Sequence, residues 1–283
     1  MHARPRFAFV LLVVVFALML SALGVAAADG PVKAGAGDGA QLPSTISLNV
    51  PPLGGSFSEG FEDITTLPGM GWAFQNNSSP LGLTDWFQGN DTVFPAQAGS
   101  TTSYIGANFN NTSGTGTISN WMMTPAVTLE AGDTIKFWTS TAAGSIWPDR
   151  LEVRMSLNGT STNVGATATS VGDFTTVLAE VNPGLVQGGY PETWTEYTIT
   201  LTAAQVPAPT QGRVAFRYFV TDGGPNGANS NYIGIDTFSY TGTPPTAVTL
   251  SGVSAVAGGS LLPLLALASG ALAAGYAVVR RRA

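Results

Sequence analysis

The chain has 283 residues, no cysteine, a single histidine (His2) and a formal net charge of −6. Because His2 lies in a predicted signal peptide, the exported protein should contain neither histidine nor cysteine. This excludes Ser-His-Asp and Cys-His nucleophiles, zinc sites built from cysteine and histidine, and redox disulfides. The remaining residue types permit an oxygen-ligated cation such as calcium, or glycoside hydrolysis by two carboxylates.

Charge is distributed unevenly along the chain. All 17 acidic residues fall between Asp29 and Asp236, where only six basic residues accompany them, so this region has a net charge of −11. A surface this acidic repels the phosphates of nucleic acids and of anionic lipids. We therefore expect no nucleic-acid partner.

The N-terminal segment, residues 1–28, has the pattern of a secretory signal peptide. Arg4 and Arg6 give a positive start, residues 7–20 are apolar, and Ala26, Ala27 and Ala28 provide small residues for cleavage. The alternative is an uncleaved anchor, which the short apolar run disfavours. The sequence therefore predicts an exported protein.

Two linkers and an anchor flank the predicted domain. Residues 29–55 are rich in Gly, Ala, Pro and Ser, which predicts a flexible linker, and residues 242–252 form a Pro/Thr linker. Residues 253–283 are predicted to be a transmembrane anchor: the apolar run 261–279, at about 1.5 Å per residue, matches a bilayer core of about 30 Å. The basic residues 280–282 follow as a cytoplasmic tail, so the domain should lie outside at the cell surface. A buried core helix is the alternative.

Residues 56–241 contain about a dozen short runs typical of β-strands. Residues 149–155 and 213–220 alternate between apolar and charged or small side chains, which predicts strands with the apolar side chains inward and the charged side chains outward. Residues 177–181, 193–201 and 232–240 also favour strands. The predicted fold class is all-β, a two-sheet jelly-roll sandwich with Gly- and Asn-rich turns.

The first strand of this domain combines aromatic and acidic residues. Phe57, Glu59 and Phe61 would share one face if the segment is extended, because side chains alternate along a strand. Two aromatic residues suit the edge of a core, whereas neighbouring carboxylates are costly to bury without a positive partner. This conflict marks the segment as a candidate site.

Several motifs, in a fixed order, resemble bacterial choice-of-anchor J domains, which are similar to cleaved-adhesin and MAM-like jelly rolls. The resemblance covers roughly residues 56–240 and implies a jelly roll used in adhesion or carbohydrate binding, attached to the surface by a C-terminal anchor. The motifs are F-x-E-G-F-E, L-P-G-x-G-W, Asp85-Trp86-Phe87-Gln88-Gly89, Ser103-Tyr104-Ile105-Gly106, Ile118-Ser119-Asn120-Trp121, Trp147-Pro148-Asp149-Arg150, Gly172-Asp173-Phe174 and Gly234-Ile235-Asp236.

The resemblance also implies a structural calcium ion between the first and last strands. The matching positions are Glu62 and Asp236, and Glu59 could complete a shell of carboxylate and carbonyl oxygens. The alternative is that these acids are solvated or pair with Arg213 or Arg217. The sequence thus predicts a calcium cofactor without settling its ligands.

The tryptophans have two interpretations. Trp121 and Trp138 lie within apolar runs and are predicted to be in the core. Trp86 and Trp147 lie beside turns, where an exposed indole can stack on a sugar ring, so both are candidate ligand-binding residues. The alternative is that they pack beneath a loop.

The sequence as a whole predicts a cell-surface-anchored, non-catalytic module for adhesion or ligand binding. Its partner would be an extracellular ligand, such as a glycan or a surface protein, and its C-terminal helix would contact the membrane. The alternatives are a carboxylate-dependent glycoside-active enzyme, for which no motif selects a pair of acids, and a passive structural protein of the envelope.

Overall fold

A computed structural model describes residues 55–243. The predicted signal peptide and C-terminal anchor, and nearly all of the first linker, lie outside these residues. None of the helices in the described range is long and apolar enough to cross a membrane. The strands are β1 (Phe57–Glu59), β2 (Ala73–Asn76), β3 (Ser79–Leu81), β4 (Phe87–Gln88), β5 (Ile105–Asn108), β6 (Thr112–Met123), β7 (Val127–Leu129), β8 (Thr134–Thr141), β9 (Leu151–Ser156), β10 (Thr176–Val181), β11 (Thr195–Thr200), β12 (Thr210–Gly223) and β13 (Tyr232–Thr241), with 3₁₀ helices at Ile64–Met70 and Phe109–Asn111.

The strands form two antiparallel sheets. Sheet one has the order β11-β8-β13-β5-β4, and β1 pairs with β13. Sheet two has the order β10-β9-β12-β6-β2, with β3 added to β6 and β7 added to β12. These sheets confirm the predicted all-β class and a two-sheet architecture, with the first described strand beside the last.

The core between the sheets is built by the predicted inward faces. Leu151, Val153 and Met155 of β9 are buried in one apolar cluster with alternate residues of β12. Phe216 of β12 packs edge-on against Phe137 of sheet one, with ring centroids 5.0 Å apart. The period-two alternation of these strands therefore predicted their inward faces correctly, because one face of each is covered by the opposite sheet.

The opening segment departs from the predicted strand. β1 ends at Glu59, and Phe61 has a φ of 55°, so Phe61 does not continue the alternation. Phe57 and Phe61 nevertheless both pack against the indole of Trp72, with ring centroids 6.4 and 5.8 Å from it. The two phenylalanines therefore contact the same aromatic residue from either side of a turn and do not share one face of a strand.

The outer face of sheet two is buried, which corrects the prediction that its charged side chains face solvent. Glu152, Arg213 and Arg217 are almost completely buried. The segment 157–175, which we call the covering loop, lies over this face, and Arg217 donates to the carbonyl of Ala168 in it at 2.6 Å. The charges are buried because a loop covers the surface that the strand pattern leaves open.

A second, smaller core lies beneath the covering loop. Trp121 is completely buried there with Phe174 of that loop, their ring centroids 5.9 Å apart. Trp138 is only partly buried and pairs in register with Asp236 and Glu196 in sheet one. The core prediction is confirmed for Trp121, whereas Trp138 is a partly exposed residue of β8, between β11 and β13 in sheet one.

Candidate functional site

A pocket of about 200 Å³ lies among loops of the sandwich. The segment that joins β8 to β9 and the segment that joins β12 to β13 provide most of its wall, and the 3₁₀ turn at Phe109–Asn111 closes it. We call it the loop pocket. Its lining residues are Phe109, Trp147, Gly224, Pro225, Gly227, Ser230 and Asn231.

The aromatic part of the loop pocket comes from Trp147 and Phe109. Trp147 is 46% exposed, in contrast to the buried tryptophans of the core. Its backbone is held by Ser145, whose hydroxyl accepts from the Trp147 N–H at 3.2 Å and donates to the Trp147 carbonyl at 2.9 Å. A half-exposed indole on a held backbone can offer a flat apolar surface to a ligand, and ligand binding by Trp147 stays a prediction.

The polar part of the loop pocket centres on Asn231. Its side-chain Nδ2 donates to Ser145 Oγ at 3.0 Å, and its carbonyl accepts from the Phe109 N–H at 2.9 Å. Asn231 Oδ1 has no hydrogen-bond donor among residues 55–243. The amide is therefore oriented by Ser145, and its oxygen has no partner among the described residues.

A buried carboxylate, Asp149, ties the two pocket-forming loops together. It accepts hydrogen bonds from the Tyr218 hydroxyl at 2.5 Å, the Thr141 hydroxyl at 2.7 Å and the Asn231 N–H at 2.8 Å. Burial raises the pKa of Asp149, and the Tyr218 and Asn231 donors oppose that rise. Asp149 thus positions Asn231 relative to the strands that bear the pocket.

A second hydrogen bond joins the same two loops beside Asp149. The Ser230 N–H donates to the carbonyl of Pro148 at 2.8 Å. The alternation over residues 149–155 predicts an outward-facing Asp149 and gives no sign of this role. One feature of the sequence does indicate it. Asp149 directly follows Trp147-Pro148, just before a strand, where a short acidic side chain can accept hydrogen bonds from neighbouring backbone N–H groups.

Trp147 also contributes to the lining of a second, small hollow. It has room for about one water molecule, and Tyr190, Val186 and Glu192 contribute to its lining. The Glu192 carboxylate accepts from the Gly144 N–H at 2.9 Å. Neither this hollow nor the loop pocket includes a lysine or arginine among its described lining residues. The lining of the loop pocket is therefore uncharged, and the acidic residues Asp149 and Glu192 line the adjoining hollow.

Trp86, the other predicted ligand-binding tryptophan, lies elsewhere. Its side chain is completely buried in the main core between the sheets. No face of its indole is open to an external ligand, so the packing alternative describes it correctly. Its position beside a turn suggested exposure, but the turn itself folds against the sandwich.

Of the predicted calcium ligands, Asp236 is completely buried and already surrounded by hydrogen-bond donors. Its Oδ2 accepts from the N–H groups of Gln97 and Ala98 at 2.8 and 3.1 Å, and its Oδ1 accepts from the Thr237 N–H at 2.5 Å. Burial raises the pKa of Asp236, and these N–H donors oppose the rise. The carboxylate thus has donors where a cation would need free oxygens.

The other two predicted ligands do not complete a cation site in the described residues. Glu62 is exposed, and Glu59 accepts from the Phe61 N–H at 2.8 Å. Within residues 55–243, no group of three or more Asp, Glu, His or Cys side chains could hold a metal ion. The residues as arranged do not fit a carboxylate-rich calcium site, and calcium binding stays a prediction.

The alternative pairing with arginine does not describe these acids either. Arg217 forms an ion pair with Glu152 at 3.1 Å, and Arg213 donates to the carbonyls of Gly71 and Thr160. Backbone N–H groups satisfy Asp236 instead. The sequence did not predict this, because two of the three donors, Gln97 and Ala98, belong to a loop far from Asp236 along the chain.

No protein-family model matches the chain, and no curated protein matches it. Among solved structures, the K1 cleaved adhesin domain of Lys-gingipain from Porphyromonas gingivalis W83 is similar, with 21% identity, a TM-score of 0.43, and coverage of 67% of this chain and 99% of that domain. The K3 cleaved adhesin domain of the same protein has 20% identity and a TM-score of 0.41, covering 66% of this chain and 98% of that domain. A structure of TmCBM61 in complex with β-1,4-galactotriose has 12% identity and a TM-score of 0.33, covering 60% and 88%. Because these similarities are low, the residues of the pocket decide what the site can bind.

Proposed function

We propose that this protein is a non-catalytic binding module whose loop pocket holds a neutral sugar unit of an extracellular glycan. The observation that carries the proposal is the half-exposed indole of Trp147 in a pocket that also contains the oriented amide of Asn231. Ligand pockets commonly combine apolar and aromatic walls with a few placed polar groups. A sugar ring has the matching pair of surfaces, an apolar face and a rim of hydroxyls.

The negative charge of the domain favours neutral sugars over anionic ones as ligands. Glu192 lies beside Trp147, and the region between Asp29 and Asp236 has a net charge of −11. Like charges repel, so sulfated or uronic-acid sugars should bind more weakly than neutral ones. The pocket volume of about 200 Å³ suits one sugar ring and not a whole chain. We therefore propose recognition of a single neutral unit within a longer glycan.

The proposed module is exported and anchored in the membrane. We infer a jelly roll of the choice-of-anchor J type, exported by cleavage after Ala28 and held at the cell surface by residues 261–279. The ordered motifs in the sequence support this family, and the pairing of β1 with β13 supports a compact unit whose first and last strands adjoin. The apolar run followed by residues 280–282, all arginine, supports the anchor.

A glycan array probed with the full-length chain tests the proposed function. We expect signals on neutral glycans and weaker or absent signals on their sulfated or uronic-acid counterparts. A uniform absence of binding would favour a passive structural protein of the envelope. Release of sugar from bound glycans, measured as new reducing ends, would instead favour the glycoside-active alternative.

A further inference from the structure

Four buried side-chain atoms near Asp85 have no hydrogen-bond partner within residues 55–243. They are Trp86 Nε1, Asn111 Oδ1, and both Nδ2 and Oδ1 of Asn120. Buried polar groups are nearly always paired, and those that are not usually contact a water or an ion. Trp86, Asn111 and Asn120 therefore each have a buried polar atom that still needs a hydrogen-bond partner.

The chemical identity of these atoms does not depend on how the amides are oriented. Asn111 Nδ2 donates to Thr84 Oγ1 at 3.0 Å and to the carbonyl of Asp85 at 3.1 Å, so its other atom must be the oxygen. Asn120 has both amide atoms unpaired, so rotating its amide would leave the same donor and the same acceptor. The set thus comprises two donors and two acceptors.

Asp85 lies beside Asn111 and Asn120, and Trp86 follows it directly in the chain. Its carboxylate accepts from the backbone N–H of Trp86 at 2.8 Å, and its backbone carbonyl accepts from Asn111 Nδ2 at 3.1 Å. The Asn120 amide lies near enough to lower the pKa of Asp85, although it does not reach hydrogen-bond geometry. Burial is the larger effect and raises the pKa of Asp85 to about 6. The buried carboxyl group of Asp85 therefore has one hydrogen bond, from the Trp86 backbone, and lies near an Asn120 amide that is not hydrogen-bonded.

We infer that this part of the core binds ordered internal water. Water both donates and accepts, so it can pair with the Trp86 and Asn120 N–H groups and also with the Asn111 and Asn120 oxygens. A cation would satisfy the oxygens and leave both N–H groups facing a positive charge. An anion would be repelled by Asp85. None of these residues lines the loop pocket, so the water site is separate from the proposed glycan site.

A crystal structure of the full-length chain, grown with rubidium in place of sodium, tests this inference. We expect solvent density within about 2.7–3.2 Å of at least two of the four atoms, without an anomalous rubidium signal. A rubidium peak among Asp85, Asn111 and Asn120 would overturn the inference in favour of a cation. Direct contacts between these side chains, or a dry void, would also overturn it.

A solution measurement provides the second test. Oxygen-17 relaxation dispersion counts long-lived buried waters in the full-length chain. Asn120→Leu removes one donor and one acceptor from the site, so the count should fall relative to wild type. Asn226→Leu, at an exposed position, is the matched control and should not change it. An unchanged count in a folded Asn120→Leu variant would contradict the inference, and if that variant does not fold, the wild-type crystal structure decides.

Discussion

The buried ion pair on the outer face of sheet two offers a sharp test of the fold. Glu152 Oε2 lies 3.1 Å from Arg217 NH1 and 2.6 Å from Arg154 Nε. The Arg217 guanidinium is enclosed, with Cζ 3.6 Å from the ring centroid of Phe219. Burial lowers the pKa of Arg217 to about 10, and the Glu152 charge opposes this change. Glu152 is therefore the main counter-charge of a buried cation.

The variant Glu152→Gln keeps the shape of the side chain and removes its charge. An arginine left buried without its partner typically costs about 3–5 kcal/mol of the free energy of unfolding. Because glutamine still presents an oxygen, we expect a loss near the lower end, about 3 kcal/mol. Urea unfolding of the full-length chain measures this loss as a lower midpoint at an unchanged m-value.

The exposed pair Lys136–Glu196 provides the control. Its charged atoms lie 3.7 Å apart and both side chains are more than two-fifths exposed. Solvent screens such pairs, so Glu196→Gln should cost at most about 1 kcal/mol. If Glu152→Gln costs no more than this control, the covering loop does not exclude water from Arg217, and the account of sheet two is wrong.

Four further predictions concern the core, the pocket, the metal and the topology. Phe216→Ala should lower the free energy of unfolding by about 3–5 kcal/mol in a urea titration, and a near-neutral result would mean that the core is misassigned. Asp149→Asn should weaken glycan binding about fivefold, as expected for about 1 kcal/mol of lost hydrogen bonding, and unchanged affinity would remove its positioning role. Because N–H donors already satisfy Asp236, a chelator should leave the melting temperature unchanged; a fall that calcium reverses and Asp236→Ala abolishes would support the calcium prediction instead. Protease added to intact cells should remove the domain, and full protection, with residues 1–28 retained, would contradict the surface topology.

The sequence predicted those parts of the fold that depend on local alternation. Leu151, Val153 and Met155 point inward because each strand contacts the opposite sheet on one face, and the period of two is visible in the residues themselves. The burial of the outer face of sheet two could not be predicted from local alternation. Glu152 and Arg217 alternate like solvent-facing charges, and only the non-local packing of the covering loop buries them.

The candidate site was predicted in part for similar reasons. Trp147 was singled out because it lies beside a turn, and it does line the loop pocket, whereas Trp86 has the same local signature and is buried. A turn can project from the fold or lie against it, and the local sequence does not distinguish the two. Two of the N–H partners of Asp236, those of Gln97 and Ala98, also come from a distant loop, so their positions depend on tertiary packing.

The central claim, that Trp147 binds a neutral sugar in the loop pocket, is tested most directly by titration calorimetry. The full-length chain and two variants, Trp147→Ala and Ile146→Ala, are titrated with the strongest neutral glycan from the array. Ile146 is the matched control because it adjoins Trp147 and is 58% exposed but does not line the pocket. Loss of a central aromatic contact should raise the dissociation constant of Trp147→Ala at least about tenfold, while that of Ile146→Ala should stay near the wild-type value. Equal affinities for all three proteins would contradict the claim.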